Sequence, residues 1–257
     1  MSVRAQAYDA VVVRREQLSP HFVRVVLGGD GLTGFASTGI PDEWVGLIVP
    51  GQFQSRYYTV RAWDGAELTL DIVVHDHGLV TEWASLPGIV GQTVTITEPK
   101  GSFELPADAE WLLLVGDLTG LPAMARTAET VSLPTRIWAE GPEVVDGYLP
   151  ADADVTWTLA PSDSESDLAQ VVASIEWPAG TGYFWMAGES SQMRAIRKHL
   201  MRDRGLPSHA YDVMGYWRGG AVRQPRAVDP GPIWREGKAR GMSDDQIWQQ
   251  YDEAVQQ

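Results

Sequence analysis

As far as Asp108 the chain alternates short apolar runs with turn-forming residues. Ala10–Val13 and Phe22–Leu27 are β-branched runs, the second closed by Gly28-Gly29-Asp30-Gly31. Trp44–Val49 stops at Pro50-Gly51, Glu67–Val74 alternates and then becomes continuously apolar, and Val94–Thr97 ends at Glu98-Pro99-Lys100-Gly101. Such runs, bounded by Gly, Pro and Asp, have the length and composition of half-buried strands. With one helix-sized insert at Val80–Leu86, they predict a small antiparallel β-barrel over residues 1–108.

Beyond Asp108 the pattern changes to strand–helix alternation. Glu110–Gly116 is a wholly apolar strand, followed by a helix over Leu121–Thr130. Arg136–Glu140 and Val155–Leu159 are further strands, and Asp167–Ser174 is helical. Tyr183–Gly188 is another apolar strand, and a helix is expected from Ser190 to about Arg204. Strands apolar on both faces and separated by helices predict a parallel sheet covered on both sides, an α/β domain over 109–220. Residues 221–257 read as a proline-containing linker and a C-terminal helix. That helix starts at the capping box Ser243-Asp244-Asp245-Gln246 and carries Ile247, Tyr251, Ala254 and Val255 at helical spacing.

Charge narrows the partners. A formal net charge of −14 argues against nucleic acid and against docking to anionic lipid, so an anionic ligand requires a locally basic pocket. With no cysteine there is no thiol nucleophile and no thiolate-held iron–sulfur cluster, so any electrons must travel on an organic cofactor. The N-terminus lacks a signal-peptide pattern, and the longest apolar run, Trp111–Val115, is too short to span a bilayer. A monomeric, cytoplasmic protein without stable membrane association is the expectation. Eleven tryptophans, four of them in Glu-Trp pairs, show no periodic repeat and read as packing residues.

Four segments carry candidate chemistry. In Arg56-Tyr57-Tyr58-Thr59-Val60-Arg61 the strand period of two puts Arg56 and Tyr58 on one face. A guanidinium there can pair with a diphosphate while the phenol lies against a planar ring, with the Thr59 hydroxyl near that ring's edge. The same alternation also suits a half-solvated barrel strand, and the hexapeptide alone leaves both readings open. The turn Gly116-Asp117-Leu118-Thr119-Gly120-Leu121-Pro122 ends a buried strand and opens a helix, which suits a pyrophosphate or carboxamide. Ala187-Gly188-Glu189-Ser190 does the same before a helix bearing Arg194, Arg197 and Lys198. In Val74-His75-Asp76-His77, the His-x-His pair has no further ligand to complete a metal site. A loop histidine bonding a cofactor or its own turn is the better reading, with Thr81 at the start of a short helix.

Taken in order, these segments resemble the siderophore-interacting protein family. The resemblance rests on Arg56–Arg61, His75 with Thr81-Glu82-Trp83-Ala84, Pro99–Phe103, Gly116–Ala123, Ala187-Gly188-Glu189 and Gly215-Tyr216-Trp217-Arg218, and covers roughly residues 5–220. Two departures stand out. Gly78-Leu79-Val80-Thr81 replaces the usual Gly-Pro-Ala-Ser, and Gly120 stands where alanine is more usual, a change expected to be harmless.

The resemblance implies an FAD-binding barrel followed by an NAD(P)H-binding α/β domain, and a reductase that passes electrons from NADH or NADPH through FAD to Fe(III) in a ferric siderophore, freeing the iron. It implies that Arg56 pairs with the diphosphate and that Tyr58 and Thr59 form the catalytic pair at the flavin ring. Tyr57, Val74, His75 and Thr81 would lie elsewhere along the cofactor. Gly116, Asp117 and Thr119 would face the nicotinamide, and Gly188 and Glu189 the rest of the dinucleotide. Arg218, beside Trp217 and backed by Arg61, is the candidate contact for an anionic siderophore, although Trp217 also reads as core. Glu140 lies at the distance where an acidic residue often binds a ribose, a slight lean to NADH, but it reads equally as a solvated loop residue, and Arg136, Arg194 and Arg197 could receive the 2′-phosphate of NADPH. A general NAD(P)H-dependent flavin reductase and a non-catalytic flavin- or siderophore-binding module are the rival readings.

Overall fold

The computed structural model describes residues 6–52, 54–74, 78–162 and 165–219, together with 233, 236–237, 239–242 and 246. The capping segment and terminal helix expected over 243–255 lie outside the described residues, Gln246 excepted.

Six strands close into an antiparallel barrel: β1 (Ala7–Ser19), β2 (Phe22–Gly28), β3 (Trp44–Ile48), β4 (Arg56–Trp63), β5 (Leu68–Val73) and β6 (Thr93–Thr97), in the spatial order β1-β2-β5-β4-β3-β6. Closure depends on the length of β1. Its first half pairs with β6 from Ala7 to Val11 and its second half with β2 from Val11 to Ser19, with register shifts after Val12 and Gln17. A bulge lets one strand bend enough to belong to both edges. Alternate residues Val23, Val25 and Leu27 of β2 and Leu68, Leu70 and Ile72 of β5 fill the barrel, all fully buried. The short helix α1 (Leu79–Ser85) adds Val80, Trp83 and Ala84 to that core.

The second unit is a five-stranded sheet with every pairing parallel: β7 (Trp111–Asp117), β8 (Thr135–Gly141), β9 (Asp154–Leu159), β10 (Gly182–Glu189) and β11 (Tyr211–Trp217), ordered β11-β10-β7-β8-β9. β7 divides its side chains between two cores. Leu112 and Leu114 face α2 (Leu121–Thr130), whereas Trp111, Leu113 and Val115 face α3 (Leu168–Ser174) and α4 (Met193–Lys198). The helix expected to reach Arg204 is regular only to Lys198 and continues as a wider turn over His199–Asp203. Among the described residues no helix is long and apolar enough to cross a membrane.

The two units share packing. Phe22 of the barrel is fully buried in the α2-side core of the sheet and meets Tyr148 edge to face at 5.1 Å. Tyr148, in the β8–β9 connection, donates to Asp71 of β5, which also receives both arms of Arg24 at 2.8 Å. The face of the sheet that carries α2 is therefore the face turned to the barrel.

Candidate active site

In the strand order β11-β10-β7-β8-β9 the chain reverses direction of winding between β7 and β10. Open parallel sheets bind ligands in the crevice outside the carboxyl ends of such a pair. Both glycine turns singled out in the sequence lie there. A Cβ on either Gly116 or Gly120 would stand 2.7 Å from the Ala187 carbonyl oxygen of β10. Glycine at these two positions is what lets the β7 turn lie flat on β10. The substitution at 120, expected to be harmless, is thus a packing requirement in this chain.

Asp117 ends β7 and organises the turn. One carboxylate oxygen accepts the Thr119 backbone N–H at 2.9 Å and the Thr119 hydroxyl at 2.5 Å; the other accepts the Trp217 indole N–H at 2.6 Å. Burial pushes its pKa up, against the opposing pull of those donors. Glu189 plays the matching part at the end of β10. Its Oε1 accepts the Gly219 N–H at 3.0 Å, and its Oε2 accepts the Ser191 N–H at 2.7 Å and the Ser191 hydroxyl. Burial opposes its charge, but the Ser191 hydroxyl and the surrounding backbone donors prevail and hold it below the usual carboxylate range. Ser190 closes the knot through its N–H and hydroxyl, both donated to the Trp217 carbonyl. Gly188 lies against the Asp117 side chain, so the ends of β7, β10 and β11 form one rigid rim.

On the barrel side, β4 packs against α2 of the sheet unit. Tyr58 packs on the barrel core alongside Val74, Arg56 is exposed at the start of the strand, and Tyr57 is 69% exposed. Burial raises the Tyr58 pKa, against the pull of the neighbouring Arg56. Thr59 is buried on the opposite face of β4, where its side chain neighbours Tyr216 of β11. Thr81, in the first turn of α1, gives its hydroxyl to the Val73 carbonyl at 3.3 Å. His75 and His77 lie outside the described residues.

Some residues are placed differently from their expected roles. Arg61 makes a two-armed ion pair with Glu129 of α2 at 2.5 and 2.8 Å, and its guanidinium lies 5.6 Å from the centre of the Tyr148 ring. With 14% of its side chain exposed it bridges the two units rather than lining a substrate face. Trp217 is fastened to Asp117, which makes it part of the rim, while the next residue, Arg218, is exposed. Glu140 is buried and accepts the Asp167 N–H at 2.8 Å, so it holds the loop before α3. Arg197 donates to the Val213 carbonyl at 2.5 Å.

Residues outside the motifs tie the barrel to the sheet. Fully buried Glu43 pairs with Arg126 of α2 at 2.9 Å, and Arg126 also donates to the Val60 carbonyl, next to Thr59, at 2.7 Å. Fully buried Asp42 accepts the N–H groups of Ser102 and Phe103 at 2.9 and 3.0 Å and the Trp185 indole at 3.2 Å. The visible signal for this pair was two adjacent acids, Asp42-Glu43, leading into an apolar strand.

The donor set suits a flavin dinucleotide. A guanidinium, an aromatic ring braced from behind by the barrel core and a hydroxyl occur in sequence on one strand. Just before β4, the buried Gln52 Oε1 has no hydrogen-bond partner. A buried polar atom of this kind can be completed by a bound ligand. Among the described residues no group of three His, Asp or Glu side chains is arranged to hold a metal ion.

Comparison with known proteins agrees with this geometry. Residues 109–220 match the family model described as siderophore-interacting protein, and residues 11–56 and 52–103 match the siderophore-interacting FAD-binding domain. An uncharacterized protein of Mycobacterium tuberculosis is 30% identical over 85% of this chain and 92% of its own length. The NADPH-dependent ferric-chelate reductase of Escherichia coli is 27% identical over 81% of this chain and 92% of its own. The crystal structure of a siderophore utilization protein from T. fusca superposes with a TM-score of 0.73 at 26% identity, covering 86% of this chain and 96% of that one. With both units matched in order and the barrel-plus-parallel-sheet architecture shared, the chain belongs to the siderophore-interacting protein family.

Proposed function

We propose that this protein is an FAD-dependent reductase that uses NADH or NADPH to reduce Fe(III) in a ferric siderophore and so release the iron. The observation that carries the reading is the order of the parts: Arg56-x-Tyr58-Thr59 lies on β4 of a barrel that matches a siderophore-interacting FAD-binding domain, and the sheet that follows has its glycine turns at the β7/β10 switch point. Similarity to the ferric-chelate reductase of E. coli supports the choice of acceptor.

FAD, when bound, supplies the conversion of a hydride from nicotinamide into single electrons for iron. The chain's own residues do the positioning. Arg56 places two N–H donors against the diphosphate, the bidentate arrangement a guanidinium favours. Tyr58 offers a flat face that cannot retreat, because the barrel core stands behind it. Thr59 brings a hydroxyl to the ring edge, and Val74 and Thr81 border the remainder of the cofactor, with Tyr57 outside it.

On the sheet side, Thr119 gives its hydroxyl proton to Asp117, which leaves the oxygen as an acceptor. That polarity suits the amide N–H of a nicotinamide carboxamide. Gly116 and Gly188 keep the rim low, and the Asp117 and Glu189 knots keep it rigid. Arg218, exposed just past the rim in a strongly acidic chain, is the basic contact for an anionic iron chelate.

The test is anaerobic trapping of Fe(II) by a ferrous-selective chelator. Fe(II) should appear from a ferric siderophore only when protein, FAD and a reduced nicotinamide are all present. Reduction of quinones or free flavin without release of Fe(II) would favour a general flavin reductase. Failure to oxidise either nucleotide would leave a binding module.

A further inference from the structure

We propose that Arg126 is a positioning residue for hydride transfer: by completing the hydrogen bonding of β4 at Val60, it holds the strand of the Arg56-x-Tyr58-Thr59 motif in fixed register with the turn that opens α2. The inference rests on the FAD and nicotinamide assignments proposed above and adds to them a residue that neither motif contains.

The backbone of β4 has an opening at Val60. In an antiparallel ladder the residues of a hydrogen-bonded pair exchange both N–H and C=O. Trp44 stands opposite Thr59, which puts Glu43 opposite Val60, and the Val60 N–H donates to the Glu43 carbonyl at 2.8 Å. The return bond is not made, because the Glu43 N–H turns to the Ile40 carbonyl at 3.0 Å. Val60 is fully buried, so its carbonyl needs a donor from within the protein. Arg126 of α2 supplies it at 2.7 Å, and the same nitrogen donates to Glu43 Oε1 at 2.9 Å. A helix side chain thus fills a vacant rung of the strand ladder, one residue after Thr59.

A second tie runs the other way. Pairing of β4 with β5 shifts register between Val60 and Ala62, a bulge that leaves Arg61 as the extra residue. Arg61 reaches from that bulge to Glu129 of the same helix. α2 itself begins at Leu121, directly after the Gly116–Gly120 turn assigned to the nicotinamide. Any slip of α2 along β4 would therefore change the separation of Thr119 from Thr59. In hydride transfer a C–H bond of the nucleotide breaks as an N–H bond forms on the flavin, and the electron pair moves with it. A misplacement of about 1 Å can cost about 100-fold in such a step.

Two measurements on Arg126→Met test this. The chain has no cysteine, so spin labels at Ala66→Cys in the barrel and Ala173→Cys on α3, both exposed, report the placement of the two units without FAD. Their distance distribution, read by pulsed electron resonance, should be narrow in the wild-type background and broader with Arg126→Met. In FAD-loaded protein the limiting rate of flavin reduction by NADH or NADPH should fall about 10- to 100-fold. Reoxidation by ferricyanide, which involves the flavin alone, should be unchanged. Arg126→Lys, which keeps a charge beside Glu43, should show the same changes at smaller size and serves if Arg126→Met does not fold. Val172→Ala, in the core on the other face of the sheet, should lower the Tm and leave both readouts at wild-type values. An Arg126→Met protein that melts lower but keeps the wild-type label distances and reduction rate would overturn the inference alone, as would an equal loss of rate in Val172→Ala. Wild-type protein that binds no FAD, or whose FAD neither nucleotide reduces, would overturn the underlying reading and this inference with it.

Discussion

Arg126→Met should lower the melting temperature by about 6–12 °C at neutral pH. Arg126 lies on α2 and its partner Glu43 just before β3, so the pair spans the two units. The Glu43 carboxylate is fully buried. Its Oε1 accepts Arg126 at 2.9 Å and the Ser37 hydroxyl at 2.5 Å, and its Oε2 accepts the Thr38 N–H at 2.6 Å and hydroxyl at 2.5 Å. Methionine keeps most of the aliphatic stem, removes the charge and also leaves the Val60 carbonyl without its donor. Removing one partner of a buried pair costs roughly 3–5 kcal/mol, and the remaining Ser37 and Thr38 donors place this case at about 3. For a chain of this size each kcal/mol is worth about 2–4 °C.

The pH dependence supplies a second sign. Burial opposes the charge on Glu43, but Ser37, Thr38 and Arg126 overcome it and hold its pKa below the ordinary carboxylate value. A depressed carboxylate contributes stability above its unfolded pKa and loses it as pH falls through the folded one. Without Arg126 the carboxyl takes up its proton at higher pH, so the gap between wild type and variant should narrow on acidification. Scanning calorimetry from pH 7 to 4 reads both effects, and Glu43→Gln in the Arg126→Met background should recover part of the loss. A drop below about 2 °C, or a gap that widens in acid, would refute the reasoning.

Gly120→Ala should destabilise by about 1–3 kcal/mol despite alanine's better helix propensity, because the new Cβ stands 2.7 Å from the Ala187 carbonyl oxygen. Thermal melts check this, and an unchanged or raised Tm would count against the close packing of the β7 turn on β10. Arg56→Ala should weaken FAD binding about 10- to 100-fold, the worth of a charged hydrogen-bonded contact, with little change in the far-ultraviolet spectrum. Isothermal titration reads the affinity, and a change under threefold would remove Arg56 from the diphosphate site.

The barrel was legible from its runs and turns because each strand alternates into a single core, and the apolar β7 and β10 announced a sheet covered on both faces. β11 was not recognised as a strand. It is an edge strand in which only Val213 is buried, with Asp212 and Gly215 interrupting the pattern, so pairing with β10 rather than local preference makes it one. The ordered motifs pointed to the family, yet individual side chains were less readable. Arg61 and Glu140 have suitable types and spacing for ligands, but Glu129 and the Asp167 N–H take them up. Asp42, Glu43 and Arg126 belong to none of the motifs. Their burial comes from contacts between segments 60 to 143 residues apart, a separation with no local signature.

The visible spectrum of FAD-loaded protein under anaerobic titration tests the central claim most directly. The account predicts flavin bands that bleach with NADH or NADPH and return on addition of a ferric siderophore. Protein that binds no FAD, or FAD that stays oxidised with both nucleotides, would contradict it.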